Sequence, residues 1–286
     1  MRLVTYCEGE GGEPLLGALD SGEVVRIAGA GVPGTMLDLL AGGAAAMAAA
    51  RRAMARGERR PLASLRLLAP LPRPGKILGV GRNYGAHAAE GGLKAQEKPR
   101  IFVKLATSVI GTGTPIPKPK AVAKLDYETE LAVVIGKRAH GIAERDALAH
   151  VAGYTILNDV SARELQFDVS PPQTSFAKSM DGFCPMGPCL ATPEEFADVR
   201  DIGLRGWVNG ELVQDGSTKD LIFPVPVLIA YLSSYLTLEP GDVIATGTPA
   251  GVGAFRKPPR YLAPGDVVRM EIEEIGVLEN RIEADG

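Results

Sequence analysis

Short apolar runs separated by turn residues make up most of the chain after residue 70, and they predict a β-rich fold. Strands are predicted at residues 76–80, 101–104, 130–135, 154–158, 203–208, 243–246 and 267–272. Asn209 and Gly210 lie between two such runs, and an Asn-Gly pair favours the positive φ angles of a type I′ hairpin turn. Short helices are predicted at residues 143–149 and 225–236.

The first 70 residues have a different pattern. Predicted strands at residues 2–6 and 23–27 are followed by one or two helices within residues 35–56, where Ala, Leu and Met share one side. Prolines at positions 61, 70, 72 and 74 then end any helix. The pattern predicts a small N-terminal α+β domain at residues 1–70 and a larger β-rich domain at residues 71–286.

Composition and charge narrow the class of protein. The chain has 286 residues, 45% of them apolar, and its 31 basic and 34 acidic side chains nearly cancel. This balance favours neither nucleic acid nor a membrane as a partner, and no apolar run is long enough to span a bilayer. Three cysteines and an N-terminus without a secretory signal predict a cytoplasmic protein, with Cys184 and Cys189 as buried thiols.

Acidic residues alternate at the start of one predicted buried strand. Asp126, Glu128 and Glu130 precede the apolar residues 131–135, and side chains two apart on a strand share a face at steps of ~7 Å. Like charges so placed beside a core repel one another and lose hydration. Two arrangements relieve this: the face is solvated, or the carboxylates hold a cation.

A second predicted strand, residues 154–158, leads directly into Asp159 and favours the cation. Glu128, Glu130 and Asp159 together form an all-oxygen ligand set. Such a set suits Mg²⁺ or Mn²⁺, whereas Zn²⁺ more often recruits His or Cys.

Two further segments carry candidate catalytic groups. In residues 81–90, Asn83 can cap a short helix on which His87 and Glu90 are neighbours at i and i+3. A carboxylate beside an imidazole supports a general base, although the same spacing is common in surface ion pairs. Lys178 lies among small and apolar residues, where it is either a desolvated cation near an oxyanion or a surface loop lysine. His140 and His150 have no comparable setting and are predicted to be structural.

These segments together resemble the fumarylacetoacetate hydrolase family, in its bacterial branch with a short N-terminal domain. Seven motifs agree with the family in type and order and cover roughly residues 74–275: GRNYGAHAAE (81–90), IFVKLATSVIG (101–111), DYETELAVVIG (126–136), NDVSARELQ (158–166), AKSMDGFCPMGP (177–188), VNGELVQDGST (208–218) and PGDVIATGTPAGVG (240–253). The resemblance implies a mixed β-sandwich roll, also described as a pseudo-barrel, and a homodimer.

The resemblance also implies roles for individual residues. Glu128, Glu130 and Asp159 match the ligands of a divalent metal, Mg²⁺ or Mn²⁺. His87 and Glu90 match a water-activating dyad on a lid helix, and Lys178 matches the lysine that stabilises an oxyanion. The positions that match substrate contacts are Gln166, Thr248 and, with a less defined role, Arg82.

Three positions depart from relatives. Asn83 stands near a further metal-site Asp of eukaryotic fumarylacetoacetate hydrolases, and Gly182 stands where those enzymes have Thr. Glu164 replaces the Asp of the common SARDLQ motif, which leaves the metal set intact and the substrate open.

The implied reaction is metal-dependent hydrolysis of a carbon–carbon bond in a 2,4-dioxo acid, such as an acylpyruvate or fumarylpyruvate, to pyruvate and a carboxylic acid. The same site supports two alternatives, isomerisation of 2-hydroxyhepta-2,4-dienedioate and decarboxylation of an oxaloacetate-type acid. A catalytically silent binding protein of the same family is disfavoured, because Glu128, Glu130, Asp159, His87 and Lys178 are all present.

Overall fold

Nineteen strands and five α-helices are present in the computed structural model, which describes residues 1–9, 11–29, 31–92 and 96–285. The strands are β1 (Arg2–Cys7), β2 (Leu15–Asp20), β3 (Glu23–Arg26), β4 (Arg59–Pro61), β5 (Arg66–Leu67), β6 (Ile77–Gly81), β7 (Arg100–Lys104), β8 (Val109–Ile110), β9 (Ile116–Lys118), β10 (Leu125–Asp126), β11 (Thr129–Ile135), β12 (Val151–Asn158), β13 (Ser161–Ala162), β14 (Cys184–Ala191), β15 (Gly203–Val208), β16 (Glu211–Ser217), β17 (Val243–Ala245), β18 (Val267–Ile272) and β19 (Gly276–Ala284). The α-helices are α1 (Met36–Ala41), α2 (Gly43–Met54), α3 (Gly85–Glu90), α4 (Thr174–Ala177) and α5 (Val225–Ser233).

The strands form one large sheet, one smaller sheet and a short pair. The large sheet has the order β4-β3-β2-β1-β14-β12-β11-β17-β6-β7, with β5 beside β1 and β8 beside β14. The smaller sheet has the order β16-β15-β18-β19-β9, and β10 pairs with β13. Most pairs are antiparallel, but β17 is parallel to β6 and β9 is parallel to β19, so both larger sheets are mixed.

Strand β11 lies at the centre of the large sheet and is buried along its whole length. Leu131, Val133 and Ile135 join the core between the sheets, whereas Ala132 and Val134 join a second core on the opposite face. Helix α1 contributes to that second core, so both faces of the strand are covered. Apolar cover on both faces explains why the strand is a continuous apolar run rather than an alternating one.

The predicted fold class is confirmed: the chain is β-rich with mixed sheets and few helices, and the described residues form no closed barrel. The N-terminal strands continue the large sheet, because β1 pairs with β14. The division into domains at residues 1–70 and 71–286 stays a prediction.

Most predicted strands agree with the structure to within a few residues at each end. The predicted hairpin is confirmed, since Asn209 and Gly210 have φ angles of 51° and 81° between β15 and β16. The short helix predicted at residues 143–149 is confirmed as the 3₁₀ helix Glu144–His150.

Among the strands of six or more residues, β2, β14 and β19 were not predicted, and neither were the shorter β4, β5, β8, β9 and β13. In β14 the prolines at 185 and 188 argue against a strand, since proline removes a backbone hydrogen-bond donor and is disfavoured inside a sheet. Cys184 and Cys189, at its start and middle, are free and buried as predicted, and burial raises the pKa of each thiol to about 12.

None of the helices in the described ranges has both the length and the apolar content needed to cross a membrane.

Candidate active site

Strand pairing places the acidic residues together. Strand β11 pairs with β12 so that Thr129 faces Asn158, which makes Glu128 and Asp159 neighbours just beyond the paired ends. The backbone N–H of Asp159 donates to the Glu128 carbonyl at 3.0 Å, and the Glu128 N–H donates to Asn158 Oδ1 at 3.1 Å. This end of the two strands is therefore fixed by backbone and amide hydrogen bonds.

Glu128, Glu130 and Asp159 form the carboxylate cluster, with one oxygen from each within 4.8 Å of the others. All three are buried, with exposed fractions of 6%, 1% and 0%. Glu130 Oε2 also accepts a hydrogen bond from the backbone N–H of Gly247 at 2.8 Å. Three buried oxygen donors in one place could hold a divalent cation.

Asp126 lies outside the carboxylate cluster, so the sequence-based expectation that it shares a face with Glu128 and Glu130 is wrong. It ends β10, and residues 127 and 128 belong to no strand before β11 begins at Thr129, so the alternation is interrupted. Its carboxylate instead accepts from Arg163 Nε at 2.8 Å and from the backbone N–H groups of Gly253 and Ala254. Asp126 therefore holds the loop after β17 in place.

Three buried cations surround the carboxylate cluster. Lys178 Nζ lies 3.0 Å from Glu128 Oε2, 2.6 Å from Asp159 Oδ2 and 2.7 Å from Ser161 Oγ. Lys104 Nζ lies 2.7 Å from Asp159 Oδ1 and also donates to the Lys178 carbonyl. Arg163 Nη2 lies 2.7 Å from Glu128 Oε1. Lys178 is thus a desolvated cation rather than a surface lysine, and its three N–H donors are all engaged.

The charges are unevenly compensated within the cluster. Burial opposes the charge of Glu128, but Lys178 and Arg163 lie close and lower the pKa of its carboxyl. Burial together with the Asp159 and Glu128 charges raises the pKa of Glu130 well above its usual value. The Lys178 charge offsets this only in part, and among the described residues no lysine or arginine lies within ion-pairing distance of Glu130. A cation bound there would relieve the remaining repulsion. The all-oxygen donor set and this deficit both fit Mg²⁺ or Mn²⁺.

Helix α3 holds the His87–Glu90 dyad, with Nδ1 of His87 2.8 Å from Oε1 of Glu90. His87 is 8% exposed, and its ring lies 5.7 Å from that of Phe255. The other Glu90 oxygen accepts from the Gly251 N–H at 2.9 Å. Gly251 has φ +110°, and a side chain there would meet the Val213 carbonyl, so only glycine allows this contact.

Asn83 does not cap helix α3, contrary to the sequence-based expectation; Tyr84 occupies the N-cap position. The Asn83 amide is fully buried and bridges the chain to two distant segments. It donates to the carbonyls of Phe223 and Thr246, at 3.0 and 2.8 Å, and accepts from the Phe223 N–H at 2.8 Å. These bonds fix the loop between β6 and α3.

A cavity of about 230 Å³ joins the dyad to the carboxylate cluster. Its floor is formed by Glu128, Glu130, Lys178 and Arg163, and His87 lies on its wall. Toward solvent it is bordered by Phe255 and Phe167, whose rings stack at 6.1 Å. The cavity is therefore lined by Glu128 and Glu130 of the predicted metal set and by His87 and Lys178 of the predicted catalytic set, whereas Asp159 and Glu90 lie behind them, in contact with Lys178 and His87.

Arg82, Gln166 and Thr248, predicted to contact substrate, also line this cavity. Gln166 lies in the π-helical turn Glu164–Asp168 and accepts from Arg163 Nη1 at 2.7 Å. The Thr248 hydroxyl donates to the Thr129 carbonyl at 3.0 Å, so its proton is already engaged. Glu164 bonds the backbone N–H groups of Ala123 and Lys124 and is absent from the cavity lining, so its departure from the family motif does not alter the wall.

Sequence reasoning missed three residues that organise the site: Lys104, Arg163 and Gln214. Gln214 of β16 accepts from the Thr129 N–H at 2.9 Å and donates to Thr248 Oγ1 at 2.7 Å and the Pro249 carbonyl at 2.9 Å. It thereby ties the smaller sheet to the strand that carries Glu130. Lys104 could have been found, because a lysine inside an apolar strand pattern is unusual. Arg163 and Gln214 lie in the quoted motifs, where no pattern distinguishes them from other polar residues.

The comparisons with known proteins decide the family. The sequence profile described as "Fumarylacetoacetate (FAA) hydrolase C-terminal" matches residues 76–283. The chain belongs to the fumarylacetoacetate hydrolase family. The resemblance inferred from the seven motifs is thereby confirmed.

Relatives in this family carry different activities. The mitochondrial oxaloacetate tautomerase fahd2 of Xenopus laevis is 40% identical over 287 residues, covering 99% of this chain and 90% of that protein. Maleylpyruvate hydrolase of Sphingobium sp. SYK-6, solved with manganese(II) ion and pyruvate, is 30% identical with a TM-score of 0.83 and full coverage of both chains. The 5-carboxymethyl-2-hydroxymuconate delta-isomerase of Mycobacterium smegmatis is 34% identical with a TM-score of 0.79, again over 100% of both chains. Family enzymes thus include hydrolases, isomerases and tautomerases.

Proposed function

We propose that this enzyme transfers a proton between the enol and keto forms of a 2-oxo acid, with oxaloacetate as the substrate to test first. The observation that carries the proposal is the His87–Glu90 dyad, which shares one small cavity with the carboxylate cluster. A base beside an oxygen-rich cation site suits chemistry at the carbon next to a carbonyl. The 40% identity to an oxaloacetate tautomerase over nearly the whole chain supports this reaction ahead of hydrolysis.

Glu128, Glu130 and Asp159 would hold Mg²⁺ or Mn²⁺. When bound, such an ion supplies a Lewis acid that withdraws electron density from the 2-oxo group of the substrate. The manganese in the solved maleylpyruvate hydrolase supports this assignment.

His87 would move the proton. Its Nδ1 is held by Glu90, which leaves Nε2 as the ring nitrogen available to substrate. The imidazole takes a proton from C3 of the keto form, and the electron pair moves toward the C2 oxygen. That oxygen takes a proton from water to give the enol, and the imidazolium returns its proton to the solvent. The overall composition is unchanged, and the reverse sequence returns the keto form.

Lys178 would stabilise the negative charge that develops on the 2-oxo oxygen. Its three N–H donors already contact Glu128, Asp159 and Ser161, so it would act through its charge rather than through a free donor. Burial opposes that charge, but the Asp159 and Glu128 carboxylates outweigh it and raise the pKa of the lysine.

Decay of the oxaloacetate enol, followed by ultraviolet absorbance with Mg²⁺ or Mn²⁺, tests the proposal. The wild-type enzyme should accelerate the decay and should speed exchange of the C3 hydrogens for deuterium in D₂O, measured by NMR. The His87→Ala variant should do neither. Unaccelerated enol decay by the metal-loaded wild type would overturn the proposal.

Hydrolysis of a 2,4-dioxo acid is the second candidate, supported by the 30% identity to maleylpyruvate hydrolase. Here His87 would take a proton from water, the water oxygen would attack C4, and the C3–C4 bond would break. The electron pair stays on C3, which then takes a proton, giving pyruvate and a carboxylic acid. Product analysis with acylpyruvates separates this reaction from tautomerisation, and carbon dioxide release from oxaloacetate separates decarboxylation.

Assembly and location are part of the proposal. The homodimer is proposed from the family resemblance, and light scattering at micromolar concentration would measure it. The cytoplasmic location is proposed from the sequence, whereas the Xenopus relative is mitochondrial by name. Fractionation of cells that express the full chain would distinguish the two.

A further inference from the structure

Two arginines line the cavity at the ends of strands β6 and β7, which in the large sheet lie beyond β17 from β11, the strand that carries Glu130. Gly81, the residue before Arg82, pairs directly with Arg100 across strands β6 and β7. A Cβ placed on Gly81 would lie 3.8 Å from Arg100 Cδ, so the Arg100 stem crosses over Gly81. Both arginines line the cavity, which places two guanidinium groups on one wall.

Neither arginine is neutralised within the parts of the chain that the structure describes. Arg163, in contrast, pairs with Asp126 and Glu128 at 2.8 and 2.7 Å. Among the described residues, no carboxylate lies within ion-pairing distance of the Arg82 or Arg100 side chain, and neither donates a hydrogen bond from its guanidinium. Burial, followed by the like charge of Arg100, lowers the pKa of the Arg82 guanidinium. An anion between them would relieve both effects.

The backbone holds Arg82 in an uncommon conformation. Its φ angle is +59°, in the left-handed region that non-glycine residues seldom adopt. The buried Asn83 amide, with its bonds to Phe223 and Thr246, fixes the following residue and so the loop itself. Strain of this kind persists where surrounding structure enforces it and often marks a ligand contact.

We propose that Arg82 and Arg100 together bind the substrate carboxylate that lies farthest from the carboxylate cluster, so that the enzyme selects 2-oxo dicarboxylates. Paired guanidinium groups suit a carboxylate because each offers two parallel N–H donors. The cavity of about 230 Å³ is small for such sites and matches a short diacid better than a long one. This inference rests on the proposed function and adds the substrate class to it.

The test compares ligands with and without the remote carboxylate. Oxaloacetate carries the remote carboxylate. Pyruvate and oxalate lack it and resemble only the end of the substrate that faces the carboxylate cluster. In Arg82→Ala and Arg100→Ala, KM for oxaloacetate should rise about 10- to 100-fold, while inhibition by oxalate and pyruvate should change less than about twofold. Arg82→Lys should restore only part of the affinity, because lysine lacks the planar pair of donors. Arg145→Ala, an exposed arginine elsewhere, is the matched control.

Equal loss of oxaloacetate and oxalate affinity in the two variants would overturn the inference, as would an unchanged KM for oxaloacetate. The inference stays testable if the proposed function fails. A wild type that does not tautomerise oxaloacetate can still be titrated calorimetrically with oxaloacetate and pyruvate in the presence of Mn²⁺. A preference for oxaloacetate that disappears in Arg82→Ala would support the inference, and no preference in the wild type would overturn it.

Discussion

The floor and the mouth of the cavity are built in opposite ways. On the floor, Glu128, Lys178 and Arg163 are almost completely buried, and each contacts two or more charged or polar partners. The mouth comprises the solvent border at Phe167 and Phe255 and the wall that carries Arg82 and Arg100. There Arg100 is exposed and Phe167 is 48% exposed. Among the described residues, the arginines there have no acidic partner.

This difference separates the fixed charges that every substrate would meet from the side chains that select among substrates. Buried charges in the floor are costly to rearrange, so their geometry is set before any ligand enters. Side chains at the mouth can change without disturbing that geometry. Relatives that share the fold can therefore run hydrolysis, isomerisation and tautomerisation, as their names indicate.

Loss of one floor carboxylate should have the largest effect on function. Glu130→Ala leaves two oxygen donors, so Mn²⁺ affinity and activity should both fall by more than about 100-fold, beyond the loss typical of residues that only support a ligand. Isothermal titration with Mn²⁺ measures the affinity, and the rate of enol decay measures the activity. Glu239→Ala, on the surface, is the control. Full activity in metal-free Glu130→Ala would show that this floor needs no cation.

Substitutions in the His87–Glu90 dyad should lower turnover without weakening metal binding by the carboxylate cluster. His87→Ala should lower kcat/KM by about 10²- to 10⁴-fold, the usual contribution of a general base, while the Kd for Mn²⁺ stays close to wild type. Glu90→Gln should cause a smaller drop, because it keeps the shape and removes only the charge behind the imidazole.

Oxaloacetate decarboxylation provides the internal comparison for the dyad. It needs no activated water, so it should survive His87→Ala better than acylpyruvate cleavage does. Equal losses for both reactions would show that His87 does more than activate water. Unchanged tautomerisation and cleavage in His87→Ala would remove the dyad from the chemistry.

The sequence predicted the floor better than its surroundings, for physical reasons. Carboxylates at the ends of apolar strands are costly without a cation, so Glu128, Glu130 and Asp159 could be recognised from the pattern. Asp126 was misplaced because the interruption between strands β10 and β11 leaves no mark on residue alternation. Gln214 could not be found, since its role depends on contact between two sheets far apart in the chain.

Substitution of Lys104 tests how the charges around the carboxylate cluster affect the free energy of unfolding. Lys104→Met removes the cation that contacts Asp159 Oδ1 and should lower the free energy of unfolding by about 3–5 kcal/mol, the cost of breaking a buried ion pair. Urea unfolding measures it. Saturating Mn²⁺ should stabilise the variant more than the wild type, because the ion replaces the missing charge. Equal stabilisation of both proteins would mean that Lys104 and the cation are not coupled.

The smallest effect is expected at Gln214, which contacts the site only through other residues. Gln214→Met keeps a similar volume but removes the bonds to Thr129, Thr248 and the Pro249 carbonyl. The loop from Thr248 also supplies the Gly251 N–H to Glu90, so its displacement should weaken the dyad and lower kcat/KM about 10-fold.

A double-mutant cycle distinguishes this positioning role from general destabilisation. If Gln214 acts through the dyad, Gln214→Met should cost little more once His87 is already alanine, because the two substitutions then remove the same contribution. Fully additive losses would show that Gln214 supports the fold alone. A lower melting temperature with unchanged kcat/KM would lead to the same conclusion, and the loop between β17 and β18 would then be held mainly by Asp126, whose carboxylate binds the N–H groups of Gly253 and Ala254.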